Sequence, residues 1–209
     1  MKTDIEIVTG FIGSGKTKFI NALLESTLSK NEKVIVVQLE TGETEIERKF
    51  KEDNRVRFTT LTYGEFSEKR FSHILQRVTP HRVIIEFNGT EDINELLELI
   101  HCKEIKKFSK LTSTYFISEA ATLQPYLSNM GRFLMPCMQL SNLVVINNTK
   151  YMEDNSVARL KEFIKEYKEF VPVLEVKDIE NIKEIVKYSK LFHRGTLKNW
   201  DVFLKDLFK

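Results

Sequence analysis

At 209 residues, the chain is long enough for one sizeable α/β domain with its own core and too short for two comfortable ones. A hydrophobic content of 42%, a charged content of 30% and a net charge of +2 describe an ordinary soluble chain and exclude the basic footprint of a nucleic-acid binder. No apolar stretch suits a signal peptide and none approaches the length of a membrane span, so a cytoplasmic protein with no membrane partner is expected.

The first apolar run, Ile5–Thr9, predicts a buried strand. It leads into Gly10-Phe11-Ile12-Gly13-Ser14-Gly15-Lys16-Thr17, which fits the phosphate-binding pattern G-x-x-x-x-G-K-[ST]. The spacing of Phe19, Ile20, Leu23, Leu24 and Leu28 then predicts a helix over Lys16–Ser29. In such a strand–loop–helix setting the glycines let successive N–H groups point at phosphate oxygens, and the helix N-terminus adds partial positive charge. Lys16 is expected to neutralise β- and γ-phosphates, and the Thr17 hydroxyl to ligate Mg²⁺. Gly10, Gly13, Ser14, Gly15, Lys16, Thr17 and Lys18 make up the expected nucleotide-binding set here.

Further strands are expected at Lys33–Leu39, Val56–Thr60, Arg82–Glu86, Thr112–Ser118, Leu143–Asn147 and Val171–Val176. Helices are expected near Glu65–Val78, Asp92–Ile100, Ala120–Met130, Asn155–Phe170, Ile179–Tyr188 and Leu197–Phe208. This alternation implies a mostly parallel sheet flanked by helices, a P-loop NTPase fold with ligands beyond the carboxyl ends of the strands. Pro80, Pro125, Pro136 and Pro172 are expected at element edges, and one domain is expected over residues 1–209.

Three strand ends offer partners for the loop. Val83-Ile84-Ile85-Glu86-Phe87-Asn88-Gly89 places a carboxylate where it can hold a Mg²⁺-bound water, and the Gly89 N–H where it can meet the γ-phosphate. Val36-Val37-Gln38-Leu39-Glu40 runs into an acidic loop. There Glu40 either meets metal or attacking water, or belongs with Glu43, Glu45 and Glu47 to a solvated turn. Leu143-Val144-Val145-Ile146-Asn147 ends in an asparagine that can buttress the loop, contact a purine edge or simply make a turn. Lys16, Glu40 and Glu86 are the candidate catalytic residues, Thr17 and Glu86 the candidate Mg²⁺ site, and Gly89 and Asn147 further nucleotide contacts.

In this order the motifs resemble those of the CobW-type GTPases, P-loop proteins related to the nickel-insertion GTPases of hydrogenase and urease maturation. The family's G-F-[LI]-G-[AS]-G-K-T loop is met at every position of Gly10–Thr17. Its N-E-x-G loop is similar to Leu39-Glu40-Thr41-Gly42, and its unusual E-x-x-G motif to Glu86-Phe87-Asn88-Gly89. Phe116-Ile117-Ser118-Glu119-Ala120 and Gln139-Leu140-Ser141-Asn142 keep the order of later segments. The resemblance covers residues 4 to 176 and implies a slow, Mg²⁺-dependent nucleotide switch with a client protein concerned with metal or corrinoid cofactors. The smaller C-terminal domain that many members carry is not expected in this sequence.

Two departures stand beside the matches. The family's N-K-x-D reads Asn147-Asn148-Thr149-Lys150, and a lysine ammonium, a donor only, does not accept from guanine N1 and N2 as the family's aspartate does. The nucleotide is therefore GTP or ATP, with GTP favoured by the resemblance. The family's G-C-x-C-C reads Gly64-Glu65-Phe66-Ser67-Glu68, so zinc transfer through thiolates is not expected. Glu65 and Glu68 suit either a harder ion or, through the helix dipole, the start of a helix. Cys102 and Cys137 lack any pairing pattern and read as apolar fillers.

Beside the slow NTPase two other functions stay open, a nucleotide-binding module that hydrolyses nothing and a small-molecule kinase. The arginines form no lid-like cluster of the kind such kinases use. Phe133, Leu134, Met135, Met138 and Leu140 read as core packing or as a client or homodimer face. Trp200, Phe203, Leu204, Leu207 and Phe208 read as a closing amphipathic helix.

Overall fold

Apolar runs bounded by turn residues become strands covered on both faces, because helices on either side of a parallel sheet leave neither face to water. The computed structural model describes residues 2–39, 44–189 and 191–192. Within it β1 (Thr3–Gly10) is buried at every position, and β4 (Arg82–Asn88) at all but its last. β2 (Val34–Gln38), β3 (Val56–Thr60), β5 (Ser109–Glu119), β6 (Leu143–Asn147) and β7 (Val173–Val176) complete a seven-stranded sheet ordered β3-β2-β4-β1-β5-β6-β7. All of its pairings are parallel. β1 and β4 lie side by side, with Val8 opposite Glu86 and Gly10 opposite Asn88. Their carboxyl ends therefore open together, at the edge where such sheets take ligands.

Side chains alternate across the sheet with the period of two that a strand imposes. Val8, Val36, Ile84 and Val145 point to a layer formed by α1 (Lys16–Thr27), α2 (Arg48–Lys51) and α8 (Ile182–Tyr188), where Phe19, Leu23, Phe50 and Val186 pack. Ile7, Val37, Ile85 and Ile146 point the other way. They meet Phe71 and Leu75 of α3 (Glu68–Val78), Leu96 of α4 (Ile93–His101), Ile105 of α5 (Lys103–Lys106), Leu127 and Leu134 of α6 (Ala120–Leu140) and Leu160 of α7 (Asp154–Tyr167). The expected helix over Leu197–Phe208 lies outside the described residues.

Helix α6 departs from the sequence reading in two ways. It runs ten residues beyond Met130, and Pro125 and Pro136, expected at element edges, lie inside it. The backbone breaks at Met130 (φ −127°, ψ 23°), so each proline falls in the second turn of its own segment. The hydrogen bond each proline forfeits is offset by burial of Leu123 and Leu127 before the break and of Leu134, Cys137 and Met138 after it. Burial pushes the Cys137 thiol up to about 11, which keeps it protonated and unreactive.

At the end of the sheet away from the loop, Arg82 is buried between two carboxylates. Its Nε stands 3.0 Å from Glu32 Oε1 and its Nη1 3.4 Å from Glu6 Oε2. Nη1 also donates to Thr27 Oγ1 at 2.9 Å, and Glu32 accepts from the Ser29 amide at 3.0 Å. These contacts fasten the end of α1 and the turn after it to β1 and β4.

Candidate functional site

The loop between β1 and α1 is built on two glycines with crowded, positive-φ backbones. Gly10 has φ +146°, and a Cβ there would lie 2.0 Å from the Ile117 carbonyl oxygen. Gly15 has φ +92°, and its Cβ would meet Ile179 Cδ1 at 2.9 Å. The chain then curls so that Lys16, only 2% exposed, folds back over the loop. Its ammonium donates to the Gly10 carbonyl at 3.0 Å and the Phe11 carbonyl at 2.9 Å. A buried cation is thus held over a glycine-framed loop at a helix start, an arrangement suited to receive phosphate.

Thr17 follows in the first turn of α1, and its hydroxyl donates to Glu86 Oε1 at 2.6 Å. The other oxygen, Oε2, accepts from Gln38 Nε2 at 2.7 Å. Glu86, on β4, is 2% exposed and lies in register with Gln38 on the adjacent β2. The acceptor-only carboxylate is oriented from both sides, toward the loop. Gln38 escaped the sequence reading, although its place as last residue of β2, in register with Glu86 once the sheet is assembled, is the signal that finds it.

Gly89 lies three residues beyond Glu86, and its N–H donates to the Gly10 carbonyl at 2.9 Å. From the other side of β1, Asn147 donates through Nδ2 to the Ser14 carbonyl at 2.8 Å. Of the roles open to Asn147, the geometry contains the buttress. Asn147→Ala leaves that buried carbonyl without its donor and is expected to lower the unfolding free energy by about 1–2 kcal/mol, read from urea denaturation.

The segment after Asn147 is tied to the loop that follows β7. Asn148 adopts φ +57°, donates through Nδ2 to Glu119 at 3.2 Å and accepts the Ile179 amide on Oδ1 at 3.1 Å. Lys150 pairs with Asp178, and Lys18, in the first turn of α1, with Glu180. The Lys150 hydrogen bond holds the Asp178 carboxyl below its ordinary range. Lys150 and Lys18 therefore each carry a carboxylate partner.

Glu65 has a local structural role, accepting from the Thr62 amide at 2.8 Å and the Thr62 hydroxyl at 2.9 Å as a capping box. Glu68 opens α3, where Ser67 is the N-cap. Both follow the helix-start reading. Among the other expected site residues, Gly10, Gly13, Ser14, Gly15, Lys16, Thr17, Glu86, Gly89 and Asn147 gather around one loop. Glu40 and its neighbours Thr41, Gly42 and Glu43 lie outside the described residues.

A parallel sheet whose central strand opens into a glycine-framed, lysine-bearing loop at a helix start defines a P-loop nucleotide-binding protein of the α/β class. The model of the CobW/HypB/UreG nucleotide-binding domain matches residues 4–175, and the chain belongs to that family. No curated protein matches by sequence.

Solved structures share the fold at low identity. The YjiA GTPase of E. coli, solved with Zn(II), has a TM-score of 0.61 at 14% identity over 79% of this chain, which spans 54% of YjiA. The hydrogenase maturation factor HypB of Archaeoglobus fulgidus has a TM-score of 0.57 at 16% identity, covering 99% of this chain and 91% of its own. The signal recognition particle receptor FtsY of Elizabethkingia anophelis, solved with GDP, has a TM-score of 0.56 at 15% identity, covering 93% and 65%.

Proposed function

We propose that this protein is a Mg²⁺-dependent GTP-binding switch that hydrolyses its nucleotide slowly and acts as an accessory factor to a client handling a metal or corrinoid cofactor. The observation that carries the reading is the chain of contacts from Gln38 through Glu86 to Thr17, beside a loop capped by Lys16. Thr17 and Glu86 present a hydroxyl and a carboxylate, hard oxygen donors of the kind Mg²⁺ prefers, with Glu86 acting through a bound water. When bound, Mg²⁺ would neutralise charge on the terminal phosphates. Lys16 and the loop amides hold the phosphates, Gly89 senses the terminal one, and Glu40 is assigned to positioning water. Turnover is slow because charge stabilisation is completed only when a partner docks.

GTP is favoured over ATP by the family and by Asp178. Lys150 holds that carboxylate close to the segment where the related motif carries an aspartate. A carboxylate accepts from both guanine donors, N1–H and N2–H, whereas adenine offers one donor beside an acceptor.

Calorimetric titration with GTP and with ATP, each with and without Mg²⁺, tests the proposal beside a single-turnover measurement of phosphate release. GTP is expected to bind more tightly than ATP, and more tightly with the metal. Glu86→Gln keeps the shape of the side chain but removes its charge, and is expected to reduce the Mg²⁺ enhancement about tenfold. Folded protein that binds neither nucleotide would refute the reading. Binding without phosphate release would turn it into a module that holds nucleotide and hydrolyses nothing.

A further inference from the structure

Helix α6 touches the loop region twice, once on each side of its break. Before the break, the Tyr126 ring lies against Phe11 of the loop with centroids 4.1 Å apart. After it, Leu134 is 1% exposed and seated on Gly89, so closely that a Cβ on residue 89 would come within 2.8 Å of Leu134 Cδ2. Between the two contacts stand the non-helical Met130 and then Gly131, beside which a Cβ would find nothing within 4 Å. One helix is therefore anchored to the phosphate loop and to the Gly89 turn separately, with a joint between the anchors.

The Gly10 carbonyl accepts from two donors, Lys16 Nζ at 3.0 Å and Gly89 N at 2.9 Å. The second bond is the terminal rung between β1 and β4, and terminal rungs open most readily. A terminal phosphate in the loop is a stronger acceptor than a carbonyl and competes for both donors. Turning the Gly89 amide toward it moves the backbone on which Leu134 rests. Well-packed contacts of this kind transmit a displacement instead of absorbing it.

On the reading of the loop as a nucleotide site, we infer that Leu134 is a positioning residue for the Gly89 amide, and that residues 131–140 follow the terminal phosphate while the Tyr126 half stays with the loop. Leu134 then contributes to telling triphosphate from diphosphate, and the break at Met130 is the joint that lets it do so. The ligand shifts α6 only because it bonds Gly89 differently in the two states.

The test compares wild type, Leu134→Ala and Gly131→Ala with a non-hydrolysable GTP analogue and with GDP, by calorimetry and by hydrogen exchange. In wild type the analogue is expected to change exchange across residues 131–140, and GDP to leave it as in the nucleotide-free protein. Leu134→Ala is expected to weaken the analogue by about tenfold and GDP by less than about twofold, and to abolish the exchange change. Gly131→Ala, which has room for its methyl group and stiffens the joint, is expected to lower the same affinity ratio without unfolding the protein. It keeps the inference testable if Leu134→Ala does not fold. Equal losses for both nucleotides, or an unchanged ratio in Gly131→Ala, would overturn the inference while leaving nucleotide binding intact. Wild type that binds neither nucleotide would instead remove the reading on which the inference rests.

Discussion

Lys16→Ala is expected to weaken GTP binding by about a hundredfold, measured by calorimetry on protein whose circular dichroism is unchanged. The ammonium is buried and already oriented by two carbonyls, so little side-chain freedom remains to be lost when phosphate arrives. A charge pair about 4 Å apart interacts by about 4 kcal/mol at an effective dielectric constant near 20. Desolvation of the phosphate takes back part of this, and about 3 kcal/mol corresponds to the expected loss. The fold is expected to survive, because the Gly10 carbonyl keeps its bond from the Gly89 amide and the half-buried Phe11 carbonyl can turn to water once the ammonium is gone. Unchanged affinity in the variant would mean that phosphate is held elsewhere.

Residues whose role is local were legible from the sequence. Gly10–Thr17 names its own backbone conformation, since only glycine reaches φ +146° and +92° beside a strand and a helix. Glu86 stands out in the sequence because it ends an apolar run, and Asn147 for the same reason, while the bond from Asn147 to the Ser14 carbonyl appears only when β6 is set in the sheet. Glu65 and Glu68 suit either a harder ion or, through the dipole, a helix start, and the structure places them at helix starts.

Residues whose role depends on assembly were not legible. Gln38 reads as the polar end of a strand until the register of β2 against β4 brings it to Glu86. The second half of α6 carries a proline and follows a break, so its local propensity argues against the helix that burial of Leu134, Cys137 and Met138 imposes. Arg82, Glu6 and Glu32 are far apart in sequence, and each alone looks like a surface charge. Lys150 reads as the loss of an acceptor, and its pairing with Asp178 from the loop after β7 appears only in the assembled fold.

Arg82→Met is expected to destabilise the protein by about 3–5 kcal/mol, a large part of the roughly 5–15 kcal/mol that holds a domain together. The guanidinium is 4% exposed, and its partners Glu6 and Glu32 are 9% and 2% exposed. Removing the cation strands two buried carboxylates, which is the expensive half of breaking a buried ion pair. The attraction itself is not the reason, because a buried pair is worth little more than a well-packed apolar substitute. Arg82→Met combined with Glu6→Gln and Glu32→Gln is therefore expected to recover most of the loss, to within about 1–2 kcal/mol of wild type in urea denaturation. A single variant that loses less than about 1 kcal/mol would show that the carboxylates find other partners. Arg82 and Glu86 lie four residues apart on β4, roughly 13 Å along an extended strand, so GTP affinity is expected to stay intact in the rescued variant. Stability without binding at one end of β4, and binding without stability at the other, would show that a single strand carries the two tasks separately.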